Sequence, residues 1–366
     1  MVGALDLEPT ALGVRPRRLP AWTKRQVPTA DFDFVLRMTS GVRLAFTTAA
    51  DAIELDVSVI MLDPAIADTG SAVFQLEVNG EIVAQRSVRS PQATLVGAPD
   101  LTVTREAPPA TVRFAGLGTT AKRVELWLPH TCAVELVALR ADAALRPTVD
   151  PRVRWVHHGS SISQGGEADV PTRTWPVQAA RRAGVRVENL GFSGNATGDP
   201  FVARAIRDRP AEILSAEIGI NLVNGDLMRR RSFEPLLHGF IDTVREGHPH
   251  TPLLLIGPIP CPAVETLPGP TVADPRRGTT VSAGDPRQLA SGGLSLTVVR
   301  EAIATVLAAR SDDPALHYLD GRQLLRPEET GDLDDGLHPN ARGLRRMGDR
   351  FARLALGPGG PLHLAR

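Results

Sequence analysis

Apolar and polar residues alternate along the first part of the chain, from Asp31 to Leu139. The alternation is regular in the runs Val42–Phe46 and Ile53–Val59, and a period of two is typical of strands that bury one face. Asn79-Gly80 joins two further runs, and this dipeptide favours the positive φ angles of a tight hairpin turn. More strands are expected at Ala110–Phe114, Val124–Leu128 and Val134–Leu139. Short strands at this spacing, without an amphipathic helix between them, predict an all-β sandwich of the jelly-roll kind.

The pattern changes after the Pro-containing linker Ala143–Asp150, where short apolar runs alternate with amphipathic runs. Strands are predicted at Val153–Val156, Val185–Leu190, Ile213–Ile218, Leu253–Ile256 and His317–Leu319. Helices are predicted at Trp175–Ala183, Phe201–Arg207, Phe233–Glu246, Leu294–Ala309 and Ala341–Leu356. This alternation favours an α/β fold with a parallel sheet covered by helices on both faces. The long Pro- and Gly-rich segment 258–293 is predicted to form a rim or lid, because such loops in compact domains are usually functional.

We therefore expect two domains. Residues 1–146 are predicted to form the β-sandwich, with an extended Pro- and Arg-rich N-terminal arm, and residues 147–366 the α/β domain. Lys+Arg and Asp+Glu both number 41, so no net charge draws the protein to nucleic acid or an anionic membrane. The N-terminal stretch does not resemble a secretory signal, and no run approaches the roughly 18 apolar residues of a membrane span. These features predict a cytoplasmic protein. Cys132 and Cys261 are expected to be free thiols, although a single disulfide stays open.

Glycines and polar residues follow four strand ends of the α/β domain. The four segments are Gly159–Ile162, Gly191–Asn195, Gly219–Asn221 and Asp335–Asn340. The carboxyl ends of parallel strands open onto the ligand crevice of such a sheet. A serine placed there becomes a nucleophile only with a base, a group that orients the base, and donors for an oxyanion. Each segment alone is an ordinary turn or cap, but their joint occurrence favours catalysis.

In this order the four segments resemble the blocks of the SGNH (GDSL-type) esterases and acylhydrolases, over roughly Arg152 to Leu356. Ser161 matches the nucleophile block, Gly194 the second block and Asn221 the third, and His338 with Asp335 matches the fourth. The resemblance implies a three-layer, flavodoxin-like fold and a serine esterase mechanism. The preceding sandwich is similar to one found ahead of this domain in some carbohydrate esterases. A structural or substrate-shaping role for the sandwich fits better than dedicated carbohydrate binding, because it has few aromatic residues.

The chemistry of ester hydrolysis assigns the same residues. Ser161 would attack the ester, His338 would remove and return its proton, and Asp335 would hold the imidazole tautomer. The backbone N–H groups of Ser161 and Gly194 and the side-chain amide of Asn221 would stabilise the oxyanion. We expect no cofactor and no metal. His157 and His158 are neighbours on a strand and point to opposite faces, so they are interpreted as one core residue and one residue lining the site.

Two residues depart from the family's blocks. Ser160 stands where the first block has Asp, and Leu222 stands where the third block has Asp after its Asn. Neither replaced residue carries the covalent chemistry. The departures therefore concern the local hydrogen bonding around the nucleophile turn.

The predicted activity is removal of a short acyl group, most simply acetyl, from a hydroxyl of a small polar or carbohydrate-like substrate or natural product. The lack of a long apolar stretch for a fatty-acid tunnel and the polar segment 258–293 favour a short acyl group. An acyltransferase with the same acyl-serine is the main alternative. An α/β-hydrolase is less suitable, because it requires Gly-x-Ser-x-Gly, which neither the Ser161 nor the Ser193 segment provides. A catalytically inactive binding protein is the third alternative, and the oligomeric state stays open.

Overall fold

A computed structural model describes residues 1–62, 71–89, 93–96, 102–105 and 107–364 of the chain. These residues form two compact units. The first comprises Met1–Pro151 with Asp169–Thr172, and the second comprises Arg152–Ala168 with Arg173–Arg366. That 1–146 and 147–366 are separate domains stays a prediction.

The described part of the first unit consists mainly of strands. They are β1 (Asp6–Pro9), β2 (Val14–Arg17), β3 (Arg43–Thr48), β4 (Ile53–Leu62), β5 (Ala72–Val78), β6 (Glu81–Val88), β7 (Ala93–Val96), β8 (Thr102–Arg105), β9 (Ala110–Phe114), β10 (Lys122–Trp127), β11 (Ala133–Ala141) and β12 (Arg146–Pro147). One sheet has the order β1-β2-β11-β4-β7-β8, with β9 also paired to β4, and the other has the order β12-β3-β10-β5-β6. Except for the parallel pair β4 and β7, neighbouring strands are antiparallel.

Both sheets contribute to one hydrophobic core, as a sandwich requires. Leu55 of β4 and Val134 of β11 come from the first sheet, and Phe74 of β5 and Leu126 of β10 come from the second; all are buried. Asn79-Gly80 forms the predicted turn between β5 and β6, with φ of 52° and 94°. The predicted β-sandwich is therefore confirmed.

The structure corrects one sequence-based expectation for the first unit and adds detail to another. The pattern from Asp31 predicted a strand, but Ala30–Arg37 is a helix, α1. Alternating Asp and Phe residues imitate a strand period here, whereas the side chain of Thr29 caps the helix by accepting a hydrogen bond from the N–H of Phe32 at 3.1 Å. The expected N-terminal arm also contains the paired strands β1 and β2, followed by a 3₁₀ helix at Ala21–Gln26.

The second unit contains a parallel sheet of five strands with helices on both faces. Its strands are β13 (Arg154–Gly159), β14 (Arg186–Gly191), β15 (Ile213–Glu217), β16 (Leu253–Ile256) and β19 (Leu316–Leu319), and a separate hairpin is made of β17 (Thr271–Asp274) and β18 (Thr279–Ser282). Its helices are α2 (Ser161–Gln164), α3 (Trp175–Ala183), α4 (Pro200–Arg207), α5 (Ile220–Asn224), α6 (Arg230–Gly247), α7 (Leu296–Ala308) and α8 (Ala341–Phe351), which continues as a π-helical turn at Ala352–Leu356. The sheet order β14-β13-β15-β16-β19 is the flavodoxin-like order, which confirms the predicted fold class.

Side chains of β13 alternate between the two covered faces of this sheet. Trp155 packs between α3 and α8, with its ring 6.1 Å from that of Trp175 and 4.9 Å from that of Phe351. His158 points to the opposite face, where its ring stacks on Phe240 of α6 at 6.0 Å. Because both faces of the sheet are covered by helices, its strands are short apolar runs in the sequence. None of the helices in the described residues is long and apolar enough to cross a membrane.

Candidate active site

The candidate nucleophile lies at a strand-to-helix turn. Strand β13 ends at Gly159, Ser160 is the N-cap of α2, and Ser161 is the first residue of that helix. The hydroxyl of Ser160 accepts a hydrogen bond from the N–H of Ile162 at 3.3 Å. Because α2 begins at Ser161, the N–H of this residue lies in the first turn, where a helix has no internal acceptor for it.

Ser161, His338 and Asp335 form one hydrogen-bonded chain. Ser161 Oγ lies 2.8 Å from His338 Nε2, and His338 Nδ1 lies 2.7 Å from Asp335 Oδ2. A carboxylate can only accept a hydrogen bond, so Nδ1 carries the ring proton and Nε2 is left to accept from the Ser161 hydroxyl. Sequence analysis named these three residues, and the structure brings them together although 177 positions separate Ser161 from His338.

Asp335 is held in place by its own turn. Its Oδ1 accepts the backbone N–H of Leu337 at 2.8 Å and that of His338 at 2.6 Å. Partial burial raises the pKa of Asp335, but the hydrogen bonds from the His338 ring and from these two N–H groups outweigh it and lower the pKa to about 2. Asp335 is therefore ionised at neutral pH, as a group that stabilises an imidazolium must be.

The expected oxyanion donors come from three neighbouring strand ends. Gly194 follows β14 and has a φ of 71°, which glycine adopts without strain, and a Cβ there would meet open space. Asn221 lies in α5, after β15, and its Oδ1 accepts the N–H of Ala196 at 2.9 Å. This contact leaves the NH₂ group of Asn221 as a donor. In the described part of the chain no hydrogen bond of the Ser161 or Gly194 N–H is found, so both remain available.

His157 and His158 are both fully buried, which corrects the expectation that one of them lines the site. His157 lies between the hydroxyls of Ser215 and Ser163, at 2.8 Å from each. His158 Nδ1 donates to the carbonyl of Leu190 at 2.8 Å. The cause is the second layer of helices, which covers the face that His158 occupies. Burial lowers the pKa of both rings, that of His158 to about 4.

Groups of three or more His, Cys, Asp or Glu side chains that could hold a metal ion do not occur among the described residues. Cys132 is buried in the sandwich core, and Cys261 is buried in the second unit, where its thiol donates to the carbonyl of Gly336 at 3.3 Å. Burial raises the pKa of Cys261 to about 11, which leaves it a poor nucleophile.

The segment 258–293 includes the β17–β18 hairpin, which packs against the turn of Asp335. Thr280 N–H donates to the carbonyl of Asp335 at 2.7 Å, and the hydroxyl of Thr279 donates to the same oxygen at 3.2 Å. The segment therefore borders the candidate site.

Sequence analysis missed two buried polar residues beside the site. Gln164 Oε1 accepts the N–H of Ser193 at 3.2 Å, and Glu217 Oε2 accepts the N–H of Ser160 at 3.1 Å. The signal for Glu217 was a charged residue at the end of an otherwise uncharged strand, next to a block already singled out.

Comparison with solved structures gives full-length matches. The chain is similar to the salicylyl-acyltransferase SsfX3 from a tetracycline biosynthetic pathway, with a TM-score of 0.78 and 26% identity over 95% of this chain and 91% of that one. It is also similar in fold to a GDSL-like lipase from Bacteroides ovatus, with a TM-score of 0.64 and 20% identity over 96% and 92% of the two chains. A family two carbohydrate esterase from Clostridium thermocellum, in complex with cellohexaose, matches with a TM-score of 0.57 and 15% identity over 86% and 91%.

A search of curated protein sequences finds no match. Comparison with models of protein families, in contrast, identifies the family. The GDSL-like lipase/acylhydrolase family matches residues 158–346, just over half of the chain, and this range contains Ser161, Gly194, Asn221, Asp335 and His338. Together with the parallel five-stranded sheet, this match shows that the chain belongs to the GDSL-like lipase/acylhydrolase family, the SGNH hydrolases.

Proposed function

We propose that the protein is a serine esterase that removes a short acyl group, most simply acetyl, from a hydroxyl of a small polar or carbohydrate-like substrate. The observation that carries the proposal is the hydrogen-bonded chain from Ser161 through His338 to Asp335, with distances of 2.8 and 2.7 Å. Such contacts between nucleophile, base and orienting carboxylate characterise serine hydrolases on unrelated folds.

In the proposed mechanism, Ser161 Oγ attacks the ester carbonyl while His338 Nε2 takes its proton. The imidazolium that forms is stabilised by Asp335, which stays ionised. His338 then protonates the leaving alkoxide, and an acyl-serine remains. Water attacks this acyl group with His338 again acting as base, which releases the acid and restores Ser161. The Ser161 and Gly194 N–H groups and the Asn221 amide would donate to the oxyanion in both steps.

The proposed substrate class rests on two supports. The segment that borders the Asp335 turn, with Thr279 and Thr280, is polar and suits a small polar alcohol better than a fatty acyl chain. In addition, a structural neighbour is a carbohydrate esterase solved in complex with cellohexaose, and sugar hydroxyls are alcohols of this kind.

The test of the proposed function is hydrolysis of p-nitrophenyl acetate by the Ser161→Ala variant. Ser161→Ala should fold like the wild type and lose nearly all activity, because no nucleophile remains. Ser193→Ala is the matched control, since Ser193 lies on the next strand-end turn and should be dispensable for covalent chemistry. A fluorophosphonate label should map to Ser161 by mass spectrometry. Activity that survives in Ser161→Ala, or a label on Ser193, would refute the assignment.

Acyl transfer is a second candidate function. It is favoured by the 26% identity to a salicylyl-acyltransferase over 95% of this chain. The same acyl-serine would then be captured by an alcohol other than water. The two functions are separated by product analysis with added alcohols: an esterase releases mainly the free acid, and a transferase forms mainly the new ester. A panel of esters that differ in acyl chain and alcohol would use Ser161→Ala as the blank.

A further inference from the structure

Glu217 is a buried carboxylate that touches two catalytic turns. It is the last residue of β15, and only 7% of its surface is exposed. Its Oε2 accepts the N–H of Ser160 at 3.1 Å. Its Oε1 has no hydrogen-bond partner among the described residues, and the hydroxyl of Ser160 and the N–H of Ile220 interact with the carboxylate electrostatically. Ser160 directly precedes Ser161 and Ile220 directly precedes Asn221, so one side chain contacts the neighbours of two expected oxyanion donors.

A carboxylate in this position is costly. Burial raises the pKa of Glu217, and the interactions with Ser160 and Ile220 offset only part of that effect. Its Oε1 has no partner among the described residues, and a buried polar atom without a partner costs free energy, so a carboxyl group kept at this position requires an explanation. Glu217 is not in the chain from Ser161 to Asp335, and proton transfer does not require it.

We propose that Glu217 is a positioning residue, which joins the turn of Ser161 to the turn of Asn221 and so fixes the oxyanion donors relative to each other. The inference rests on the proposed function for the roles of those donors. Ser160 extends the connection, because its N–H donates to Glu217 at 3.1 Å while its hydroxyl accepts the N–H of Ile162 at 3.3 Å. The start of α2, and with it the N–H of Ser161, is thereby tied to the end of β15.

The proposal also accounts for a departure of the sequence. Ser160 stands where the family's first block has Asp, so this turn lacks a carboxylate of its own. Glu217 supplies one from the neighbouring strand, through its hydrogen bond to the N–H of Ser160. Serine at 160 is suited to this arrangement, because its hydroxyl caps the helix while its N–H donates to Glu217.

The test compares Glu217→Gln, Ser160→Ala and the double variant. Glu217→Gln keeps the size of the side chain and an acceptor for the Ser160 N–H, but it removes the charge that strengthens this hydrogen bond. The two turns are then held less firmly, and we expect kcat on p-nitrophenyl acetate to fall about 10- to 100-fold with KM within about threefold. Ser160→Ala removes the hydroxyl that interacts electrostatically with Glu217, so the two substitutions act on one cluster and the double variant should lose less than the product of the single losses.

Glu188→Gln is the matched control. Glu188 is also a buried carboxylate in this sheet, 1% exposed, but its partner is Arg209, at 2.6 and 2.8 Å. This variant should keep kcat within about twofold even where its melting temperature falls. An unchanged kcat in Glu217→Gln, or losses that simply multiply in the double variant, would overturn the proposal.

A second measurement is independent of activity. Hydrogen exchange of Glu217→Gln should accelerate at least about tenfold in the two segments around Ser160 and Ile220, and not across the sheet. Unchanged exchange in both segments would refute the proposed connection between the turns of Ser161 and Asn221. Failure of the proposed function would be seen separately, as activity that survives in Ser161→Ala.

Discussion

Single side chains link the three strand-end turns of the site. Gln164 in the nucleophile helix holds the N–H of Ser193, and Asn221 holds the N–H of Ala196, at 3.2 and 2.9 Å. Asn221 and Ala196 are both buried, so their hydrogen bond fixes which way the amide of Asn221 faces. Because Oδ1 accepts this hydrogen bond, the NH₂ group of Asn221 is left to act as a donor.

The role of Asn221 can be tested with two substitutions. Asn221→Ala removes both ends of the amide, whereas Asn221→Asp keeps an acceptor for the Ala196 N–H and removes the donor. Because the donor is used mainly in the transition state, we expect both variants to lower kcat about 10²- to 10³-fold with little change in KM. Steady-state kinetics on p-nitrophenyl acetate gives both constants. A change in KM alone, or wild-type kcat in Asn221→Asp, would contradict the oxyanion role.

At the scale of elements, the β17–β18 hairpin supports the turn of the candidate base. Thr280 is paired with Ala273 across the hairpin, and its N–H points away from β17 to the carbonyl of Asp335. When two residues face each other in this way in an antiparallel pair, both N–H groups point away from the partner strand. Neither N–H group therefore takes part in the hydrogen bonds between β17 and β18. The hairpin can therefore be loosened from the Asp335 turn without breaking its own pairing.

Proline substitution uses this geometry. Thr280→Pro removes the 2.7 Å hydrogen bond to Asp335, and Ala273→Pro makes the same backbone change at the paired, exposed position of β17. Loss of one hydrogen bond of about 1 kcal/mol should lower kcat/KM of Thr280→Pro about three- to tenfold, with Ala273→Pro near wild type. Equal losses in the two variants would show that the hairpin, and not its contact with Asp335, matters.

Elements with a clear period could be predicted from the sequence, and those with a misleading period could not. Residues Ile53–Val59 of strand β4 alternate without interruption, and Asn79-Gly80 accepts positive φ, so both were found. Helix α1 was missed because alternating Asp and Phe imitate a strand, while the deciding contact is the cap by Thr29. Glu217 was missed for another reason. Its importance depends on which turn lies beside the end of β15, and only the folded sheet shows that.

At the scale of the molecule, strand order gathers segments that are remote in sequence. Strand β13 lies between β14 and β15, so the turns after these strands meet at one edge of the sheet. The four blocks could be identified from the sequence because three of them follow a strand end directly and the fourth directly precedes α8. The hydrogen bonds between the blocks could not, since the partners of Gln164, Glu217 and the hairpin threonines become neighbours only in the folded sheet.

The same central strand carries two neutral histidines into the two covered faces of the sheet. His158 packs against Phe192 and Phe240, with ring centroids 5.6 and 6.0 Å apart, and its Nε2 has no hydrogen-bond partner among the described residues. Burial lowers its pKa to about 4. The folded protein therefore binds fewer protons than the unfolded chain at mildly acidic pH, and the free energy of unfolding must fall as the pH falls from the usual histidine pKa of about 6.5 towards 4.

His158→Phe should remove this contribution to acid sensitivity. The variant loses the 2.8 Å hydrogen bond to Leu190 and is expected to be about 1 kcal/mol less stable at pH 7. Between pH 7 and pH 4.5, however, its free energy of unfolding should fall by about 2 kcal/mol less than that of the wild type. Urea unfolding at both pH values measures this difference. His250→Gln is the control, because His250 is exposed and its replacement should leave the pH dependence of the wild type intact. Parallel pH profiles for the wild type and His158→Phe would show that the buried imidazole is not the group that makes the fold sensitive to acid.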